Sequence, residues 1–209
     1  MEKIDFVIPW VDGNDPEWQA QKDKYYQGEK NQNKNSAYRD WNTLRFWFRG
    51  VEKYAPWVNR IHFITWGHIP QWLNINHPKL NIVKHTDFIP DDCLPTFSAN
   101  SIELHINRID ALEEHFVYFN DDTFVLAPIN IEDFFINGLP ADSAILSATI
   151  PSVKNEIFTY ILFNDLLLIN ANFNKDALKK NRKKMVFDQI RQTYIQKHLL
   201  LAVEENSWF

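Results

Sequence analysis

Two hydrophobic patterns alternate along the first part of the chain. Short runs of branched and aromatic residues are typical of β-strands, and segments whose apolar residues recur at three- and four-residue intervals are typical of amphipathic helices. Strands are predicted at Ile4–Val11, Arg60–Trp66 and Leu80–His85, and in the run that begins at His115. Because strands and helices alternate, we expect an α/β fold with a mostly parallel sheet.

The run from His115 to Leu126 ends in a pair of carboxylates. Its apolar part has no polar alternation, which predicts a strand buried on both faces inside a parallel sheet. Ligands of open α/β sheets bind outside the carboxyl ends of strands, where Asp121 and Asp122 would suit a divalent cation that also binds phosphate. The alternative is a polar turn at Asn120 and Asp121, with Asp122 capping the next element.

Three helices are predicted between these strands. The first begins with Asp15 as the N-cap and Pro16 at the first helical position, and it runs toward Tyr26. The second begins at Trp41 and is closed by Pro56. The third covers Ser98–Glu114, with a buried stripe made of Ile102, Ile106, Ile109 and Leu112.

Several polar residues near these elements are candidate ligand contacts. The loop from Asp12 to Asn14 follows the first strand and would suit a base or ribose, although an Asx-turn is the commoner use of such residues. Arg39 would reach phosphate while Asp40 caps the second helix, and ordinary surface charge is the equal alternative. Glu103 lies on one flank of the third helix and His105 and Arg108 on the other, where a solvated helix face explains them nearly as well.

The pattern changes after Leu126. A short helix is predicted at Ile131–Phe135, a strand at Ala144–Leu146, and mainly helices from Glu156 onward. The apolar segment Ile157–Ile169 contains Asn164 and Asp165 and is too short to span a bilayer, so it predicts a buried helix. We therefore expect an α/β core over residues 1–150 and a helical segment over residues 151–209.

Composition excludes some classes of protein. A formal net charge of −5 and a pI of about 5.8 argue against a nucleic-acid binder, which needs clustered Lys and Arg. Cys93 is the single cysteine, which excludes an internal disulfide and a cysteine-based zinc cluster. The chain shows no secretory signal in its first residues, and together these features favour a cytoplasmic location.

Three stretches, in the same order, resemble the Stealth family of bacterial capsule and exopolysaccharide phosphotransferases, which is related to the catalytic subunit of the animal lysosomal-enzyme N-acetylglucosamine-1-phosphotransferase. They are Ile4–Pro16, then Arg39-Asp40 through Leu44-Arg45 with Ala55–Val58, and then Leu94–Ser98 through Ile102-Glu103, His105 and Arg108-Ile109 to Phe119–Asp122. Phe163–Asn181 is similar, more weakly, to the start of the family's third region.

The resemblance implies a Rossmann-like core related to nucleotide-sugar transferases and a bound Mg²⁺ or Mn²⁺. It also implies transfer of a sugar-1-phosphate from a nucleotide-sugar, such as a UDP-sugar, to a glycan hydroxyl, at the inner face of the bacterial membrane or with capsule assembly proteins. The residues implied are Glu103, His105, Arg108 and Asp122 for catalysis, Asp121 and Asp122 for metal, and Asp12, Gly13, Asn14, Arg39, Arg45 and Asn120 for the donor.

The sequence departs from the family pattern in two places. Trp41–Thr43 stands where the family usually has Asn and two acidic residues, and Asn100 and Asn107 stand where histidine is frequent, which leaves His105 as the imidazole of this segment. The family's later regions, with a further histidine and arginine, have no counterpart before Phe209, so we expect the natural polypeptide to continue.

Two other functions remain open at this stage. A glycosyltransferase would use the same donor but would be attacked at the anomeric carbon, releasing a nucleoside diphosphate instead of a monophosphate. A non-catalytic module would bind the nucleotide-sugar or the polysaccharide without turnover.

Overall fold

A computed structural model describes residues 3–25, 38, 41–141 and 157–172. The chain divides into two compact units, Met1–Pro140 and Ala141–Phe209. The first unit contains the elements β1 (Ile4–Trp10), α1 (Pro16–Tyr25), α2 (Leu44–Tyr54), β2 (Ile61–Thr65), β3 (Leu80–Lys84), α3 (His85–Phe88), α4 (Ala99–Glu103), β4 (His115–Tyr118), β5 (Phe135–Ile136) and β6 (Leu139–Pro140). In the second unit, the described element is α5 (Ile157–Asn172). The assignment of domains to residues 1–150 and 151–209 stays a prediction.

The central sheet has the strand order β3-β2-β1-β4, and every pair in it is parallel. A Rossmann sheet has the strand order 3-2-1-4-5-6, and the four strands of this sheet follow the first part of that order. The chain builds outward from β1 through β2 to β3, and then crosses back to place β4 on the other side of β1. The prediction of an α/β fold with a parallel Rossmann-like sheet is therefore confirmed.

Both faces of this sheet are covered. Successive side chains of β1 point to opposite faces, so Phe6 packs with Trp47 and Val51 of α2, while Val7 packs with Ile102 and Ile106 on the other face. Strands of a sheet that is buried on both faces are mainly apolar, which explains why β1 and β2 lack a regular polar alternation. Pro9 lies inside β1 opposite Ile64, and the strand continues to Trp10.

β4 differs from its prediction. Its residues are half-buried and not fully buried as predicted, and in the described part of the chain it pairs only with β1, at the edge of this sheet. The sequence run is apolar because Phe116 and Tyr118 pack on one hydrophobic cluster and Val117 on the other. Apolar residues on both faces therefore do not require a neighbouring strand on each side.

The helix predicted over Ser98–Glu114 is broken in the structure. α4 ends at Glu103, a 3₁₀ turn follows at Ile106–Arg108, and Ala111 has a positive φ of 63°. The His105 ring is the local cause, because its Nδ1 donates to the Ser101 carbonyl at 2.7 Å, while the His105 backbone N–H bonds to Ile102 instead. A side chain that takes the i−4 carbonyl competes with the helical ladder.

α2 and α5 also differ from their predictions. α2 begins at Leu44, with Thr43 in the N-cap position, and not at Trp41. α5 was predicted to be buried, yet most of its side chains from Tyr160 onward are exposed, including Leu167 at 68% and Leu168 at 64%. Its apolar residues lie on all sides of the helix, so burying one face would still leave others in solvent.

Some predictions fall outside the described residues, among them the strand at Ala144–Leu146 and the whole of residues 173–209. None of the helices in the described ranges combines the length and the apolar content that crossing a membrane requires. The short helix expected at Ile131–Phe135 is confirmed as a 3₁₀ turn over Ile131–Asp133.

Candidate functional site

The candidate site lies at the carboxyl ends of β1 and β4. These strands are neighbours, with Val7 opposite Tyr118, but they are connected to opposite sides of the sheet. This is the switch point of the topology, where the loops diverge and leave a crevice that binds ligands in open α/β sheets. The loop after β1 contains Asp12–Asn14, and the loop after β4 contains Asn120–Asp122. Because the strands are parallel, the fold brings both predicted loops to the same edge.

The loop after β1 has a well-defined hydrogen-bonded structure. The Asp12 carboxylate accepts the Asn14 backbone N–H at 2.9 Å, which is the Asx-turn expected as an alternative for this residue. The Asp15 carboxylate accepts the Trp18 N–H at 2.8 Å, so Asp15 caps α1 as predicted. The Asp12 backbone N–H donates to Nε2 of His68 at 2.7 Å. The loop is therefore fixed both within itself and by the segment that follows β2.

Gly13 is required by a close backbone approach. A Cβ at this position would collide with the carbonyl oxygen of Tyr38, and the Gly13 carbonyl accepts a hydrogen bond from the Gln19 side chain at 2.7 Å. Tyr38 is itself held by a hydrogen bond from its hydroxyl to the Phe97 carbonyl at 2.8 Å. Gly13 therefore lets the loop after β1 pack closely against the backbone of Tyr38, whose side chain is in turn bonded to the segment that leads into α4.

The loop after β4 is a tight turn that presents its acids to solvent. The Asn120 carbonyl accepts from both the backbone N–H and the hydroxyl of Thr123, at 3.1 and 2.8 Å. Asn120, Asp121 and Asp122 are all exposed. The polar turn that was one interpretation of these residues is thus present, and it leaves Asp122 at the surface of the crevice. A turn and a metal site are compatible, because the turn is what exposes adjacent carboxylates.

Glu103 reaches this edge through Tyr118, the last residue of β4. The Tyr118 hydroxyl donates to Glu103 Oε1 at 2.9 Å, which ties the end of α4 to the strand that precedes the acidic loop. Burial, the hydrogen bond to Glu103 and the negative charges of Glu103 and Asp121 all raise the pKa of Tyr118. The tyrosine therefore stays protonated. The structure thus brings Glu103 and Asp121 together around one phenol, although they are far apart in sequence.

His105 and Arg108 follow α4 in the irregular segment. His105 is half-buried, and the bond from its Nδ1 to the Ser101 carbonyl leaves the lone pair of the neutral ring on Nε2. Arg108 is exposed at the end of the 3₁₀ turn. The break after Glu103 means that the two flanks predicted for a straight helix no longer apply.

Arg45 is in a different part of the molecule from the two loops of the candidate site. It lines a cavity of about 600 Å³ between α2 and the segment around Trp72–Leu80. Its guanidinium stands 5.2 Å from the centre of the Phe46 ring. Among the described residues, no other predicted site residue lines this cavity. Arg39 lies outside the described residues, so its predicted role stays a prediction.

The acids at the crevice can be compared with the needs of a metal ion. No group of three His, Cys, Asp or Glu side chains within the described ranges comes close enough together to hold a metal. Asp121 and Asp122 nevertheless provide adjacent, exposed carboxylates of the kind that Mg²⁺ prefers, since this ion commonly uses one or two protein carboxylates with waters and phosphate oxygens as its other ligands. The residues therefore fit a substrate-shared ion and not an all-protein cage.

Two residues at this edge were missed by sequence analysis. His68 was overlooked because a lone histidine after Gly67 has no distinctive spacing, and Tyr118 because its ring looked like part of an apolar strand. His68 contacts Asp12, and Tyr118 contacts Glu103, only because the fold brings separate segments of the chain together. The available signal for Tyr118 was its hydroxyl, which lies at the last position of a strand that leads into a predicted site.

Comparison with known proteins adds independent information. Residues 2–28 match the family model for Stealth protein CR1, conserved region 1, and residues 37–143 match that for Stealth protein CR2, conserved region 2. The chain belongs to the Stealth family. Its two matched regions contain every candidate residue described above, so family membership and the geometry concern the same part of this Stealth chain.

Several curated relatives are similar over most of this Stealth chain. A capsular polysaccharide phosphotransferase, WcwK, from Streptococcus pneumoniae is 49% identical over 88% of the chain and 56% of its own length. A receptor polysaccharide phosphotransferase, WefC, from Streptococcus oralis is 48% identical over 87% of the chain and 55% of its own length. A capsular polysaccharide phosphotransferase, CpsJ, from Streptococcus thermophilus is 46% identical over 85% of the chain and 76% of its own length. The chain thus spans little more than half the length of the first two relatives.

Proposed function

We propose that this chain carries the donor-binding part of a Mg²⁺-dependent sugar-1-phosphate transferase that acts on a capsular or exopolysaccharide glycan. The observation that carries the proposal is the meeting of two predicted loops, Asp12–Asn14 and Asn120–Asp122, at the switch point of a Rossmann-like sheet. The names of the relatives, which are polysaccharide phosphotransferases, support the reaction class.

The roles of the residues follow from their positions. Asp121 and Asp122 would hold the ion, with Glu103 orienting the acidic loop through Tyr118. When bound, Mg²⁺ neutralises phosphate charge and supports in-line displacement at phosphorus. The loop from Asp12 to Asn14 would contact the nucleotide, with Asn14 exposed at its tip. This assignment accounts for an acidic edge that would otherwise repel an anionic donor.

In the proposed reaction, an acceptor hydroxyl attacks the phosphorus that carries the sugar. A new P–O bond forms, the diphosphate P–O–P bond breaks, and a nucleoside monophosphate leaves with the electron pair. The hydroxyl proton must pass to a base, and His105 is the proposed candidate because its Nδ1–H donates to the Ser101 carbonyl, so that Nε2 is the nitrogen left to accept a proton. Arg45 and Arg108 are proposed to stabilise charge on the transferred phosphate only after a movement or a ligand brings them to the crevice.

A substitution in the acidic loop tests the donor site. Asp122→Asn should abolish Mg²⁺-dependent binding of UDP-glucose, measured by calorimetry, because it removes a full negative charge from the ion's ligands. It should change the free energy of unfolding by less than about 1 kcal/mol, since Asp122 is exposed. Asp110→Asn is the matched control, because Asp110 is also exposed but precedes β4 and lies outside the loop after it.

The control protein should bind the donor as the unaltered chain does. Equal binding by Asp122→Asn would contradict the metal assignment. With an acceptor glycan present, release of a monophosphate supports phosphoryl transfer, whereas a diphosphate product would indicate a glycosyltransferase. Metal-dependent binding without any product would leave the chain as a nucleotide-sugar-binding module.

A further inference from the structure

His68 links the segment after β2 to the candidate donor loop. Its Nε2 accepts the backbone N–H of Asp12 at 2.7 Å, and its Nδ1 lies 3.8 Å from Oδ2 of Asp15. An imidazole nitrogen that accepts a hydrogen bond carries no proton, so the ring proton must be on Nδ1, facing the Asp15 carboxylate. The neutral ring is thus hydrogen-bonded to the beginning of the loop, while its buried Nδ1 faces Asp15 at the end of the loop without a hydrogen bond.

The surroundings of His68 favour this neutral form. Its side chain is only 12% exposed and lies against Trp10, with ring centres 5.2 Å apart, and against Trp66. Burial lowers the pKa of His68, and the carboxylates of Asp15 and Asp12 oppose this only in part.

Among the described residues, His85 at the start of α3 is the titratable group of a neighbouring element that interacts with this ring. Burial and the nearby His68 lower the pKa of His85 to about 4. His85 is therefore neutral near pH 7, so it adds no positive charge beside His68. Within the described ranges, the charged groups that face His68 are then the two carboxylates of the loop after β1, Asp12 and Asp15.

We propose that His68 is a positioning residue for the donor: its neutral ring holds Asp12–Asn14 in the binding conformation, and protonation of Nε2 releases that loop. Protonation replaces an acceptor with a second donor directly opposite the Asp12 N–H, so the contact cannot persist in the same geometry. The inference rests on the proposed function, because it assumes that this loop contacts the nucleotide. It adds a residue from the segment after β2 to a site otherwise formed after β1 and β4.

Two substitutions at His68 test the role of its hydrogen-bond acceptor separately from the role of its side-chain volume. His68→Gln keeps a side-chain oxygen that can accept the Asp12 N–H, together with an amide group that can donate toward Asp15. His68→Leu fills a similar space without an acceptor. Near-ultraviolet circular dichroism of both variants checks that the aromatic core, including Trp10, is still packed.

The first measurement needs no donor. Hydrogen exchange at the Asp12 amide should be slow in the unaltered chain near pH 7, after correction for intrinsic rates, and should become faster relative to core amides near pH 5. His68→Gln should retain the protection at both values, and His68→Leu should lose it at both. Retained Asp12 protection in a folded His68→Leu protein would overturn the proposal.

The second measurement is binding of UDP-glucose with Mg²⁺ over the same pH range. We expect the affinity of the unaltered chain to fall as the pH is lowered toward 5, that of His68→Gln to be nearly constant, and that of His68→Leu to be weak throughout. An equal fall in His68→Gln would assign the pH effect to other groups and contradict the proposal. If the unaltered chain binds no UDP-glucose, the proposed function fails, while amide exchange still decides whether His68 positions the loop.

Discussion

At the scale of single residues, Asp5 shows how a charged group can be held inside the sheet. It is fully buried in β1, where its carboxylate accepts from the Asn59 amide at 2.7 Å, from Nε2 of His62 at 2.9 Å and from the Glu113 backbone N–H at 3.0 Å. The Asn81 amide contacts the other ring nitrogen of His62 at 3.0 Å. A buried carboxylate with several donors is tolerated because its lost hydration is replaced.

The first prediction concerns this network. Asp5→Ala should lower the free energy of unfolding by about 3–5 kcal/mol, because it leaves the donors of Asn59, His62 and Glu113 without their acceptor in a buried site. Urea denaturation measures the loss. Asp110→Ala, which removes an exposed carboxylate, should change stability by less than about 0.5 kcal/mol.

A double-mutant cycle refines this prediction. If Asp5 and His62 act as a pair, then Asp5→Ala combined with His62→Ala should cost less than the sum of the single changes, with a coupling of about 1–3 kcal/mol. Strict additivity would show that the short contact between them makes no specific contribution to stability.

At the scale of elements, local patterns were predicted well and nonlocal ones were not. β1, β2 and β3 were placed to within a residue or two, because short runs rich in branched and aromatic residues, bounded by turn formers, mark strands locally. The edge position of β4 could not be predicted, since pairing partners depend on the chain crossing. The break after Glu103 was not predicted, because the apolar stripe through Ile102 and Ile106 is buried both in a continuous helix and in the observed broken one.

A second prediction concerns the packing of α2. Gly50 is inside this helix, where Gly→Ala would normally stabilise by roughly 1 kcal/mol. A Cβ there would, however, come within 2.5 Å of the Val125 carbonyl oxygen, which belongs to the backbone just after the acidic loop. We expect Gly50→Ala to destabilise the protein by about 1–3 kcal/mol, because a backbone segment must shift.

The measurement is again urea denaturation, with Glu52→Ala as the control in the same helix. Glu52 is exposed, so its replacement should change stability by less than about 0.5 kcal/mol. A gain in stability for Gly50→Ala would show that the contact with Val125 is loose, and that α2 does not fix the segment following the acidic loop.

At the scale of the whole molecule, the sequence predicted which residues form the site better than how they meet. Asp12–Asn14 and Asn120–Asp122 were found because turn formers and acids directly follow apolar strands. Their proximity needed the strand order, which places β4 beside β1 and not beside β3. The same strand order explains why Arg45, on a helix between β1 and β2, lines a separate cavity.

The last prediction is that residues 1–140 fold without the rest of the chain. The two hydrophobic clusters of the described residues lie between Ile4 and Phe135, and so do the described strand pairs of the central sheet. A fragment with its own core and its own parallel sheet should unfold cooperatively. We expect it to show one urea transition by far-ultraviolet circular dichroism and by tryptophan fluorescence, because the Trp residues of the core report the same event. Separate transitions, or a fragment without near-ultraviolet signal, would show that the core depends on residues after Pro140.

The fragment also contains both loops of the crevice, so it should bind UDP-glucose with Mg²⁺ as tightly as the full chain does. Weaker binding would place a donor contact in residues 141–209.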